Sequence, residues 1–117
     1  MLSGIQAALS GLQAFTTKID NNANNIANMN TNGFKKNRVV LSAQAPQGVK
    51  ATLERVSTPG ASVAEMTDQG YQMIEQSNVD LGEEMPDMLL NKHGYFANIK
   101  TLQATNQMIQ SLLDIKA

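Results

Sequence analysis

Apolar and small residues recur from the start of the chain at Leu2, Ile5, Leu9, Leu12, Thr16, Ile19, Ala23 and Ile26, in alternating steps of three and four. That spacing keeps one side of an α-helix on one partner, while Gln6, Ser10, Gln13, Thr17 and Asp20 fall off the stripe. Because the stripe is narrow, it predicts a coiled-coil contact and not a broad globular face. A helix over 2–26 would be about 40 Å long at roughly 1.5 Å per residue. It should end between Asn28 and Gly33. There the sequence is dense in Asn, whose amide competes for backbone hydrogen bonds, and Gly33 tolerates positive φ. Lys35, Lys36 and Arg38 stand where positive charge suits a helix C-terminus.

A second stripe runs through Met85, Met88, Tyr95, Ile99, Leu102, Asn106, Ile109 and Leu113, with Lys92 on it between Met88 and Tyr95. Asp80 and Glu83 have the spacing of a capping box. Pro86 and Gly94 cost about 3 and 1 kcal/mol in a helix interior, so the pattern predicts a start near Glu84 or a kink. A helix with such defects needs a partner along its length. Between the stripes, Val39 to Leu41 and then Val49, Ala51 and Leu53 read as strands, joined by Ala45-Pro46-Gln47-Gly48 with Pro and Gly placed as in a type I turn. Around Ser57-Thr58-Pro59-Gly60 and Asp68-Gln69-Gly70 no periodic run appears, which predicts irregular, partly mobile structure. The expected fold class is therefore mainly α. Long N- and C-terminal helices pair as a coiled-coil-like hairpin around a small β-hairpin or irregular middle. Segments 1–38, 39–78 and 79–117 together form one domain.

Composition changes this picture in one respect. With three Phe, two Tyr and no Trp, the apolar area for a self-sufficient core is modest, and much of the burial should come from partners. A net charge of −1 argues against nucleic-acid binding, which draws on clustered Lys and Arg. The absence of cysteine removes disulfides, thiolate catalysis and cysteine-held zinc. No run approaches the roughly 20 apolar residues needed to cross a bilayer, so no membrane insertion is expected. The opening MLSGIQAALSGLQAF lacks the basic and apolar regions of a secretory signal.

Chemistry is equally sparse. His93 is the single histidine and, beside Lys92 and Gly94, reads as solvated and unable to build a metal cluster or a triad. Glu83 and Asp87 lie one turn apart, but an acidic helix start explains them better than an acid–base pair. The glycines form no phosphate-cradling motif, and Lys35, Lys36 and Arg38 lack interleaved aromatics apart from Phe34. Met85 and Met88 read as adaptable packing residues at a contact surface. No catalytic residue, cofactor or metal site is expected, and the chain does not read as an enzyme.

One resemblance covers over half the chain. Residues 8–36 carry Ser10-Gly11-Leu12, an Asn-rich run from Ala23 through Asn24, Asn25 and Ala27 to Asn28, and a turn from Thr31 through Gly33 and Phe34 to Lys35. This resembles the amino-terminal signature of the flagellar rod and hook proteins: SGL, ANNxAN and T-x-G-[FY]-K. Residues 77–115 carry Val79 with Glu83-Glu84-Met85, then Tyr95 with Ala97-Asn98, and Leu112-Leu113-Asp114. These look like the carboxy-terminal signature of the same family. Pro86, Gly94 and Asn21-Asn22 depart from its usual pattern.

The resemblance implies a structural subunit of the flagellar basal-body rod, of a short, proximal-rod type. Such a subunit would leave the cell through the flagellar type III export apparatus without a cleaved signal peptide, and would join copies of itself and other axial proteins in the periplasm as a helical tubular shaft. The residues predicted to pack helices and subunits are Leu2, Ile5, Leu9, Leu12, Ile19, Ile26, Met85, Met88, Tyr95, Ile99, Leu102, Ile109 and Leu113. Asn21 to Asn32 would supply either a helix end or an amide-rich contact between subunits. Rival readings are a soluble helical adaptor or export chaperone and, with little support from composition, a small hydrolase.

Overall fold

The computed structural model describes residues 1–116. In chain order the elements are α1 (Leu2–Ala27), β1 (Asn37–Ala43), β2 (Val49–Arg55), β3 (Ser62–Thr67), β4 (Gly70–Glu75) and α2 (Leu81–Lys116). Gly11 faces Asn98, Asn22 bonds Asn91 and Asn25 bonds Glu84, so α1 and α2 run antiparallel. The particle is elongated, 81 × 24 × 19 Å.

Helix α1 ends at Ala27, where the Asn28 N–H folds back onto the carbonyls of Asn24 and Asn25 at 3.2 and 3.1 Å. Helix α2 starts at Leu81, three residues before Glu84. The Asp80 carboxylate accepts the Gly82 N–H at 2.8 Å, and its carbonyl accepts the N–H groups of Glu83 and Glu84. Glu83 does not complete the capping box; it turns to Lys36 at 3.0 Å. Pro86 lies within α2, in its second turn, where its missing N–H forfeits one backbone bond to the preceding turn.

The expectation of a mainly α chain with a small or irregular middle is corrected here. The middle is built as two antiparallel hairpins, so the fold is two long helices plus four strands. The first hairpin is longer than predicted, pairing Asn37 with Arg55 through to Ala43 with Val49. Its loop is wider than a type I turn, closed by the Gln44 N–H on the Gly48 carbonyl at 3.0 Å. Gly48 holds φ 113°, a conformation that glycine adopts without steric cost. The second hairpin falls where irregular structure was expected, with Asp68 and Gln69 joining β3 to β4. Period-two alternation arises where one face is buried, and this ribbon has none. Ala64, Met66, Tyr71 and Met73 share one face, Val63, Glu65, Gln72 and Ile74 the other, and most are exposed.

Hairpin β1–β2 lies along α1, tied by the Val49 N–H to Ser10 Oγ at 3.1 Å and by Gln47 to Gln6 at 2.5 Å. Among the described residues, β3–β4 packs against no other element.

Candidate functional site

The interface between α1 and α2 is polar. Asn22, Asn25 and Asn91 are 2%, 0% and 2% exposed, whereas the buried apolar side chains among the described residues are only Ala8 and Ala14. On α2 the line runs through Glu84, Asn91, Asn98 and Thr105, a period of seven offset from the predicted apolar stripe. Asn22 Nδ2 donates to Glu84 Oε2 at 2.7 Å and to Asp87 Oδ2 at 3.0 Å. Asn91 Nδ2 donates to Asn22 Oδ1 at 2.7 Å and to Asp87 Oδ2 at 3.1 Å. Asn25 Nδ2 reaches Glu84 Oε1 at 3.3 Å. Among the described residues no buried side-chain nitrogen or oxygen lacks a partner, the condition under which such burial is tolerable.

These amides are thus used inside the chain and do not form a free surface for other subunits. Within the run Asn21 to Asn32, expected as a helix end or an amide-rich contact between subunits, Asn21, Asn22 and Asn25 bind α2 and β1. The Asn24 and Asn28 side chains lie at the helix end, where Asn28 Nδ2 donates to the Asn24 carbonyl and Thr31 bonds Asn28 at 3.2 Å. Two sequence departures also find their place here. A Cβ at Gly94 would collide with the Phe15 ring, so glycine admits that ring between the helices. Asn22 is the central hub. Of the acidic pair, Glu83 bonds Lys36 and Asp87 joins the network, and His93 is exposed. The network role of Glu84 and Asn91 was missed, because a stripe search counts apolar positions and skips amides.

Several signature residues sit in this interior. Ser10 Oγ accepts the Val49 N–H and donates to the Ala7 carbonyl at 2.7 Å. Gly11 leaves room for Asn98, whose Oδ1 lies 2.7 Å from where a Cβ would stand. Asn25 and Glu84 carry the bonds given above. Gly33 donates its N–H to the Glu75 carbonyl at 2.9 Å, and the Phe34 carbonyl accepts the Asn78 N–H at 3.3 Å. Leu12 and Val79 are half-buried, while Ala27, Met85, Ala97 and Asp114 are exposed.

The base of the second hairpin is a junction of loops. Asn78 Oδ1 accepts the Lys36 N–H at 2.7 Å, and its Nδ2 donates to the carbonyls of Val56 and Thr58 at 3.0 and 2.9 Å. Lys35, expected at a helix end, instead pairs with Glu75, as Lys36 does with Glu83 and Arg38 with Glu54 across β1–β2. The Lys35 ammonium hydrogen bond, then the Gly60 N–H, hold the Glu75 carboxyl below its ordinary 4.5. A group depressed on folding stabilises the folded form above its unfolded pKa, and that stabilisation is lost as pH falls through the folded value. Carboxyl NMR should therefore show Glu75 titrating below 4.5, with the Gly60 amide losing protection over the same range and Lys35→Met moving the midpoint back up.

The larger apolar residues border the amide line between the helices or face outward. Of the predicted packing positions, Ile5, Leu12, Ile19, Ile26, Met88, Tyr95, Ile99, Leu102 and Ile109 are half-buried, while Leu2, Leu9, Met85 and Leu113 are exposed. Leu89, Leu90, Phe96, Met108, Leu112 and Ile115 are exposed as well, on further sides of α2. Met85, Pro86, Met88, Leu89 and Lys92 line an open apolar groove of about 430 Å³. No helix among the described residues is long and apolar enough to cross a membrane.

Two family models match the chain. One, described as flagella basal body rod protein, covers residues 5–35, and the other, described as flagellar basal body rod FlgEFG protein C-terminal, covers 69–115. The flagellar basal-body rod protein FlgG of Bacillus subtilis is 41% identical over 63 residues, which is 54% of this chain and 22% of that protein. FlgG of Buchnera aphidicola subsp. Baizongia pistaciae is 29% identical over 106 residues, 82% of this chain and 40% of the relative. The flagellar hook protein FlgE of Borreliella burgdorferi is 39% identical over 44 residues, 38% and 10%. The chain thus spans less than half the length of these relatives.

Proposed function

The chain belongs to the flagellar basal-body rod family, and on that premise we propose that it is a structural subunit of the bacterial flagellar rod, assembling through its terminal helices into a helical shaft for motility. One observation carries the reading: the two family segments take in most of α1 and α2, which bury amides between them and leave many of their large apolar side chains, Leu2, Leu9, Met85 and Leu113 among them, exposed. Each fully buried Leu or Met contributes about 1.5–3 kcal/mol. Leu2, Leu9, Met85 and Leu113 do not collect that within the chain. Neighbouring copies and other axial proteins would cover them, in head-to-tail contacts that build an open helical array. In this reading the subunit reaches the periplasm through the flagellar type III export apparatus and has no catalytic role.

A tagged copy is expected in isolated basal bodies, and deletion is expected to stop hook formation. A chain that stays in the cytoplasmic fraction while hooks form normally would sink the proposal in favour of an adaptor or chaperone.

A further inference from the structure

We propose that Glu84 is a positioning residue for hairpin β1–β2, acting through the Asn25 amide, so that the base of the hairpin docks more tightly on α1 when α2 is paired. Asn25 meets Asn37 at two points, accepting its N–H on Oδ1 at 3.1 Å and donating Nδ2 to its carbonyl at 2.8 Å. Asn21 Nδ2 donates to the same carbonyl at 2.8 Å. The backbone polar groups of the first residue of β1 are thereby taken by side chains one turn apart on α1.

The Asn25 contact works in one orientation of its amide. Rotated by half a turn, the NH₂ group would face the Asn37 N–H, donor against donor. A carboxylate selects between the two, because when ionised it only accepts. Glu84 Oε1 lies 3.3 Å from Asn25 Nδ2, so the rotated amide would set Oδ1 against a carboxylate oxygen. The other Glu84 oxygen is held by Asn22, which Asn91 holds in turn. Glu84 itself makes no hydrogen bond to the hairpin among the described residues. Asn37, with one donor and one acceptor, favours the same orientation once docked. Glu84 sets it beforehand, so without α2 the strand start must orient the amide itself and docks more weakly.

The test is amide hydrogen exchange on the full chain, with Glu84→Gln as first variant and Glu84→Ala as second. Gln can present either a donor or an acceptor to Asn25 and so loses the selection. Exchange at Asn37 should rise about tenfold, the loss expected for a hydrogen bond to a charged group. Val49, tied separately to Ser10, and the mid-α1 amides should keep their protection. In an Asn25→Ala background, Glu84→Gln should add nothing at Asn37. The inference is overturned by an unchanged Asn37 in both variants, by a uniform rise across helices and hairpin, or by an effect that persists without Asn25. It concerns the single chain, so its failure would leave the assembly reading untouched.

Discussion

Asn22→Leu should cost the free chain roughly 3 kcal/mol of stability, the range for removing a partner from buried polar and charged groups. The substitution deletes the donor to Glu84 and Asp87 and the acceptor for Asn91. Glu84, 8% exposed, would keep only the longer bond from Asn25. Leucine also closes the space through which water could replace the amide. Against a total stability of about 5–15 kcal/mol for ordinary domains, and with Ala8 and Ala14 as the buried apolar residues, such a loss should separate the helices. Urea denaturation followed by circular dichroism measures it, and a change below about 1 kcal/mol would show that the amides do not hold the pair. Replacing Asn22, Glu84, Asp87 and Asn91 together by Leu should recover most of the loss, since Asp87 would otherwise lose both amide donors and Asn25 keeps its two bonds to Asn37.

Opposite behaviour is expected on the outer faces. A chain carrying Leu9→Gln, Met85→Gln and Leu113→Gln should unfold within about 0.5 kcal/mol of the parent, because exposed substitutions between good helix formers change little. Its incorporation into basal bodies should nevertheless fall by at least about tenfold, since each lost apolar contact with a neighbour removes about 1.5–3 kcal/mol. Motility in soft agar and the amount of chain in purified basal bodies report the effect. Normal incorporation would mean that assembly does not use these positions. The two experiments separate the surfaces: Asn22→Leu acts on the single chain, the Gln variant on the array.

The helices were legible in the sequence. Alternating steps of three and four from Leu2 to Ile26, the Asn run and Gly33 located α1 and its end to within a residue or two, because helix periodicity and termination are local properties. Pro86 predicts a start near Glu84 or a kink, whereas α2 begins three residues before Glu84 and carries the proline in its second turn, where it forfeits one backbone bond. Hairpin β3–β4 left no alternation to read, as neither of its faces is buried.

Residue order by itself determined the family, the two long helices and the shortage of apolar core. Only the tertiary structure decided which helix faces meet. Periodicity says that a stripe of Leu and Met wants cover without naming what supplies it, and an asparagine is equally at home at a helix end or in an interior. Once α1 and α2 lie antiparallel, Asn22, Asn25, Asn91 and Glu84 satisfy one another across the interface. Residues far apart in the chain close that set of bonds together, and a reading along the chain scores each of them alone.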